Sequence, residues 1–165
     1  MKKINSCLFA ILISLSNYAL ANISGEVIRI IDGDTVEVLV NKKPLRIRLA
    51  DIDAPESKQP FGQRSRQSLA DLIFRHQVVI ADKGTDRYNR TLGTIYTTGN
   101  FNVNAEQVRR GMAWAYRYHE RPTNAAMLTL EIEAKAARRG LWGDSSAIEP
   151  WKWRKLRAHE TEIDH

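Results

Sequence analysis

The stretch that decides the fold is residues 25–51, which read GEVIRIIDGDTVEVLVNKKPLRIRLAD. Branched apolar residues alternate with polar ones in three short runs, and this alternation is typical of strands with one buried face. The runs lie at 27–31, 36–40 and 45–49. Asp32-Gly33-Asp34 and residues 41–44 separate them and are turn-forming sequences. The stretch therefore predicts a β-meander of three antiparallel strands.

The rest of the chain adds two strands and three helices to this meander. Strands are predicted at 78–80 and 92–96, and helices at 63–76, 104–110 and 124–140. Strands that come first and helices that gather later favour an α+β fold, a five-stranded OB-like β-barrel with about three helices. We expect this domain to span residues 22–143, followed by a polar C-terminal tail at 144–165 that is frayed towards its end.

The N-terminus has the features of a secretory signal peptide. Lys2 and Lys3 precede an apolar segment at residues 8–15, and Ala19-Leu20-Ala21 is a small-x-small cleavage site. The apolar segment is too short to span a bilayer comfortably, which disfavours the alternative of an uncleaved N-terminal anchor. We expect residues 1–21 to be removed and the mature protein to be exported, periplasmic or secreted, without stable membrane insertion.

Charge and cysteine content narrow the class of partner. Removing residues 1–21 takes two lysines from the 25 basic and 19 acidic residues, which lowers the net charge from +6 to +4. It also removes Cys7, the only cysteine, so no disulfide is expected. A basic protein favours an anionic partner, either nucleic acid or an anionic membrane. No basic amphipathic helix supports membrane adhesion, and a monomer is expected by default.

Three ionic clusters lie where the barrel would expose them, at residues 32–35, 48–56 and 82–90. Each alone resembles an ordinary hairpin or a solvated loop, although Arg48 is unusual within an apolar strand. Carboxylate oxygens suit Ca²⁺ or Mg²⁺. Paired arginines bind phosphate, and a further carboxylate is able to activate water. No zinc-type spacing of His and Cys is present. Together the clusters indicate phosphodiester cleavage.

In order and spacing, these clusters resemble the staphylococcal nuclease family. The similarity continues through residues 103–113 and 140–142, and so extends over about 25–142. The resemblance implies a calcium-dependent hydrolase, an endonuclease that cuts DNA and RNA and leaves 3′-phosphate ends. Single-stranded substrate is expected to be preferred.

The resemblance also implies residue roles. The implied calcium ligands are the carboxylates of Asp34 and Asp53 and the main-chain carbonyl of Ala54. The implied catalytic residues are Glu56, which activates water, and Arg48 and Arg90, which stabilise the transition state. The implied substrate-binding residues are Arg87, Tyr88, Tyr116 and Tyr118. Asp32 and Thr35 are expected to contact the metal ligands rather than the metal.

Three alternatives remain open from the sequence. The protein could be a catalytically inactive OB-like module that binds single-stranded nucleic acid. Tyr116 and Tyr118 could be core residues rather than pocket residues. In the tail, residues 150–155 mix tryptophans with basic residues. This segment either stacks on bases and pairs with phosphates, or its tryptophans anchor a terminal segment to the domain.

Overall fold

The computed structural model describes residues 22–163, so the predicted signal peptide at 1–21 lies outside the described residues. The strands are β1 (Asn22–Asp32), β2 (Thr35–Val40), β3 (Lys43–Leu49), β4 (Ile52–Asp53), β5 (Gln77–Thr85), β6 (Thr91–Thr97), β7 (Trp114–Ala115), β8 (Arg117–Tyr118) and β9 (Arg121–Pro122). The helices are α1 (Gly62–Ile73), α2 (Val103–Arg109), α3 (Ala125–Ala136) and α4 (Pro150–Ile163), with a 3₁₀ turn at Gly140–Gly143.

Five strands close into a barrel in the order β1-β2-β3-β6-β5. The meander is confirmed, since β2 pairs antiparallel with both β1 and β3. A parallel pairing of β3 with β6 and an antiparallel pairing of β5 with β1 close the barrel. The inward positions of the alternating runs are fully buried, among them Val27, Val36, Ile47 and Leu49. The α+β, OB-like barrel is therefore confirmed, and two small sheets, β4-β7 and β8-β9, are additions to it.

The helices differ from the sequence prediction mainly at two C-terminal ends, since α3 ends at Ala136 and not at Gly140, and α1 is also shorter. α1 ends at Ile73 and not at His76, because Arg75 adopts a left-handed conformation with φ of 65°. α3 begins where predicted, since the Asn124 side chain accepts hydrogen bonds from the main-chain N–H groups of Ala126 and Met127.

Pro150–Ile163 forms a fourth helix that the sequence did not predict. Proline is well suited to the first position of a helix, and Pro150 is buried. Gln59 Nε2 donates to the Ile148 carbonyl at 2.6 Å, and the Arg117 guanidinium lies 5.4 Å from the Trp151 ring. These contacts favour the anchoring interpretation of the tail tryptophans. None of the helices within 22–163 is long and apolar enough to cross a membrane.

A buried carboxylate joins α3 to the strands that follow the barrel. Glu131 is fully buried, and its Oε2 accepts a hydrogen bond from the Ala115 main-chain N–H at 2.8 Å. Arg117 donates to both Glu131 oxygens at 2.9 and 2.8 Å, and Lys135 Nζ lies 2.5 Å from Oε1. Burial raises the pKa of Glu131, but the hydrogen bonds from Arg117 and Lys135 outweigh it and hold the pKa below its usual value.

Glu131→Gln is expected to lower the free energy of unfolding by about 3 kcal/mol at pH 7, because it leaves two cations without their buried partner. A depressed folded-state pKa stabilises the protein above the unfolded pKa, and this stabilisation is lost as pH falls through the folded value. Urea unfolding should therefore show a large difference in the free energy of unfolding between wild type and variant at pH 7 and a smaller difference at pH 3, below the unfolded-state pKa. The matched control is Glu133→Gln, at an exposed position of α3. An equal difference at both pH values would contradict the ionic role.

Candidate active site

One cleft of about 920 Å³ lies where the β1–β2 turn, the end of β3 and the β5–β6 loop meet. Every site residue predicted from the sequence lines it, namely Asp34, Arg48, Asp53, Ala54, Glu56, Arg87, Tyr88, Arg90, Tyr116 and Tyr118. Residues separated by more than eighty positions thus come together at one end of the barrel, as expected if the three ionic clusters form one site.

Asp34 is held at the base of the cleft by its neighbours. Its main-chain N–H donates to Asp32 Oδ1 at 3.1 Å, and Thr35 Oγ1 donates to Asp34 Oδ1 at 3.0 Å. The Ala54 N–H donates to Asp34 Oδ2 at 2.6 Å. Asp32 and Thr35 therefore contact Asp34 as predicted, and the main chain of Ala54 lies directly beside the carboxylate.

Arg48 connects the two buried acids. Its Nη2 lies 3.1 Å from Asp34 Oδ2 and 3.2 Å from Asp53 Oδ1, so both carboxylates converge on one nitrogen. Nη1 donates to the main-chain carbonyls of Leu49 and Ile52 at 2.8 and 2.9 Å. These contacts explain why an arginine occurs within an apolar strand. The Arg48 side chain reaches the end of the barrel and holds the turn that carries Asp53.

The acids at the base of the cleft are costly to ionise. Burial raises the pKa of Asp34 to about 7, although Arg48 opposes the shift. Burial also raises the pKa of Asp53, and hydrogen bonds from Arg154 oppose it. Since like charges and low solvation disfavour the ionised pair, cations are needed at this position to hold both carboxylates in their charged form.

Two buried amides of α2 hold the loops that carry these acids. Gln107 Nε2 donates to the Gly33 carbonyl at 2.9 Å, and Asn104 Nδ2 donates to the Ala50 carbonyl at 2.9 Å. Gly33 is required by close packing, since an added Cβ would lie 1.8 Å from Ser65 Oγ. Sequence reasoning included Asn104 in a motif without assigning it a role. The sequence did contain one signal for this role, because Asn104 and Gln107 are amides three positions apart and so lie on the same face of a helix.

The β5–β6 loop presents a second group of cations. Asp86 Oδ2 accepts from Arg90 Nε at 2.7 Å and orients its guanidinium along the cleft. Tyr88 is 63% exposed, and the guanidinium carbons of Arg87 and Arg90 lie 4.8 and 5.3 Å from its ring centre. The loop therefore brings two arginines and one accessible aromatic ring to the rim.

Two further aromatic side chains stand on the opposite rim. Tyr116 and Tyr118 are 36% and 65% exposed and line the cleft, so the alternative of core tyrosines is wrong. The Tyr116 N–H donates to the Asp51 carbonyl at 2.9 Å, and the Asp51 carboxylate binds Lys83 and Thr123. Asp51, which belongs to the ionic cluster at residues 48–56, thus joins the two rims.

A residue that sequence reasoning missed enters the cleft from α4. Arg154 Nη2 lies 2.7 Å from Asp53 Oδ2, and Nη1 donates to Asp53 Oδ1 at 3.2 Å and to Glu56 Oε1 at 2.7 Å. This bidentate geometry is the strongest form of an arginine–carboxylate pair. The sequence placed Arg154 in a basic and aromatic tail segment that either binds nucleic acid or anchors the tail, but it gave Arg154 no role beside Asp53 and Glu56.

The donor set fits a hard divalent cation. Within residues 22–163, no three Asp, Glu, His or Cys side chains are grouped closely enough to form a metal site by themselves. Asp34 and Asp53 nevertheless converge, with main-chain atoms of Ala54 adjacent, and cationic guanidinium groups neutralise them. Oxygen donors without nitrogen or sulfur are the set that Ca²⁺ and Mg²⁺ prefer.

The family model described as staphylococcal nuclease homologue matches residues 46–144, which include the end of β3, the β5–β6 loop and both rims of the cleft. The chain belongs to this family. It is 54% identical over 145 residues to Protein ParB of Escherichia coli, covering 83% of this chain and 82% of that protein. It is 51% identical over 160 residues to micrococcal nuclease of Shigella flexneri, covering 92% of each. An uncharacterized endonuclease of Haemophilus influenzae is 41% identical over 140 residues, covering 84% of this chain and 77% of that protein.

Proposed function

We propose that this protein is a calcium-dependent endonuclease that hydrolyses phosphodiester bonds of DNA and RNA and leaves 3′-phosphate ends. The observation that carries the proposal is the convergence of two buried aspartates, one accessible glutamate and two arginines in a single cleft. The names of the similar proteins, micrococcal nuclease and endonuclease, support the same activity class. A module that only binds nucleic acid has no need for this buried charge.

Each of the central side chains has a defined task in this mechanism. Glu56 accepts the proton of the attacking water, and Arg48 and Arg90 donate hydrogen bonds to the phosphate oxygens as negative charge builds on them. A divalent ion held by Asp34, Asp53 and the Ala54 carbonyl would supply charge neutralisation at the phosphate. Asp86 fixes the orientation of Arg90 before the substrate arrives.

The rims of the cleft would hold the substrate on either side of the cut bond. Arg87 and Tyr88 bind a flanking phosphate, and Tyr116 and Tyr118 stack on a base. Stacking requires bases that are already separated from their partner strand, so single strands are the preferred substrate. None of these contacts reads a base edge or depends on the sugar, which supports the cleavage of both DNA and RNA.

The protein is proposed to act outside the cytoplasm as a monomer. Support for export comes from Lys2, Lys3, the apolar segment at 8–15 and the small residues at 19–21. The charged cleft is formed by one chain, so no second copy is needed to complete it.

Metal dependence is the first test of this function. The purified protein is expected to cleave single-stranded DNA and RNA when Ca²⁺ is present. Cleavage should stop when a chelator is added and should return when Ca²⁺ is restored. Asp53→Asn, which removes one charged donor, should weaken calcium binding at least tenfold by isothermal titration calorimetry. End-labelling of the products should show 3′-phosphates.

The matched control is Asp71→Asn, on an exposed position of α1 that does not line the cleft. It should leave both cleavage and calcium binding unchanged. Cleavage that resists the chelator would overturn the metal mechanism. Binding of single strands without cutting, under every metal tested, would favour the binding-module alternative.

A further inference from the structure

The C-terminal helix places a cation on the same carboxylates that would hold the metal. The Arg154 guanidinium engages both oxygens of Asp53 and also Oε1 of Glu56. Asp53 is 1% exposed, whereas the Arg154 side chain is 45% exposed. The arginine thus lies over the buried acid from the solvent side of the cleft.

The helix that carries Arg154 is attached to the segment that carries Glu56. Gln59 uses both ends of its amide, since Oε1 accepts from the Glu56 N–H at 3.2 Å and Nε2 donates to the Ile148 carbonyl at 2.6 Å. Gln59 is itself buried. On the other side, Trp151 lies against the Arg117 guanidinium. Arg154 therefore lies on a helix whose N-terminal end contacts the domain through Ile148, just before it, and Trp151 in its first turn.

A guanidinium that engages both oxygens of Asp53 from the solvent side competes with a divalent ion for this carboxylate, because two positive charges repel at contact distance and Arg154 occupies Oδ2, the oxygen that Arg48 leaves open. We propose that Arg154 is a further active-site residue, an internal cation that occupies the metal-binding carboxylates and must be displaced when the metal ion binds. This inference rests on the proposed metal-dependent function. It makes α4 a cover whose attachment to the cleft weakens on metal binding, and it makes Arg154 a determinant of metal affinity.

Calcium titration of the purified protein tests this competition without relying on cleavage. Arg154→Ala is expected to bind Ca²⁺ about tenfold more tightly than wild type by isothermal titration calorimetry, since no internal cation has to leave. Lys155→Ala removes the same charge from an exposed neighbouring position of α4 and should change the affinity less than twofold.

Hydrogen exchange of the α4 amides provides a second measurement. In wild type, Ca²⁺ should raise exchange within residues 150–159, because the helix loses its contact with Asp53 and Glu56. In Arg154→Ala, exchange should already be raised without metal and should not respond to Ca²⁺. Lys155→Ala should behave like wild type.

The outcomes separate this inference from the proposed function. If wild type binds Ca²⁺ and cuts DNA, but Arg154→Ala binds Ca²⁺ no more tightly than wild type does, the proposed competition is wrong. The proposed nuclease function is then unaffected. Protection of α4 by Ca²⁺ in wild type would likewise overturn it. If no variant binds Ca²⁺ and none cuts DNA with it, the metal assignment itself fails, and the competition fails with it.

Discussion

Glu56→Gln is expected to lower kcat for single-stranded DNA cleavage about 10³-fold, the effect typical of losing a general base. The amide keeps the size of the side chain but accepts no proton from the attacking water. Glu56 is 38% exposed in its side chain and lines the cleft, so it is open to water and substrate. The measurement is steady-state cleavage at saturating Ca²⁺, with calcium affinity followed separately by calorimetry.

The matched control for Glu56→Gln is Glu26→Gln, a surface carboxylate paired with Arg75 at 3.0 Å that does not line the cleft. Its kcat should remain within twofold of wild type. If Glu56→Gln retained more than a tenth of the activity while binding Ca²⁺ normally, another group would have to activate the water.

Arg48→Lys is expected to lower kcat by about 10² to 10³-fold, although it keeps the positive charge. A lysine ammonium cannot reproduce the planar fork that contacts two carboxylates and two main-chain carbonyls at once. Loss of a donor aimed at the charge developing in the transition state costs two to three orders of magnitude in rate. The measurement is kcat together with the urea midpoint of unfolding.

Comparison with Arg75→Lys separates catalysis from folding, because Arg75 makes a surface ion pair and is 64% exposed. That variant should match wild type in both measurements. For Arg48→Lys, a large loss of kcat with a small change in stability would support the transition-state role. A loss of kcat that tracks unfolding of the protein would instead assign Arg48 to the support of the turn that carries Asp53.

The candidate catalytic and metal-binding residues could be named from the sequence because they lie in short local patterns that resemble those of the nuclease family. Asp34 sits in a tight turn between two alternating strands, and Asp53 and Glu56 follow Arg48 within eight positions. Once those strands form a barrel, their ends must meet, so the clusters converge. The same locality accounts for the correct start of α3 at Asn124, whose capping role depends only on the next few residues.

The end of α1 and the state of the tail show where local patterns were insufficient. Apolar spacing extended the first helix to His76, but the chain turns at Arg75 to begin β5 against β1. No helix was predicted in the tail, yet α4 forms there, and Gln59 and Arg117 contact Ile148 and Trp151 at its N-terminal end. Tertiary contacts commonly override helix propensity in this way.

By itself the sequence determined the barrel, because alternation and turn residues act over a few positions. Through its resemblance to the nuclease family, the sequence also indicated which acids, arginines and tyrosines line the cleft. Only the tertiary structure decided that Asn104 and Gln107 hold the loops and that Arg154 enters the site. Arg154 is 101 positions from Asp53, and no periodicity connects residues so far apart. Their meeting depends on how α4 packs against the finished barrel, which is a property of the folded surface and not of any segment.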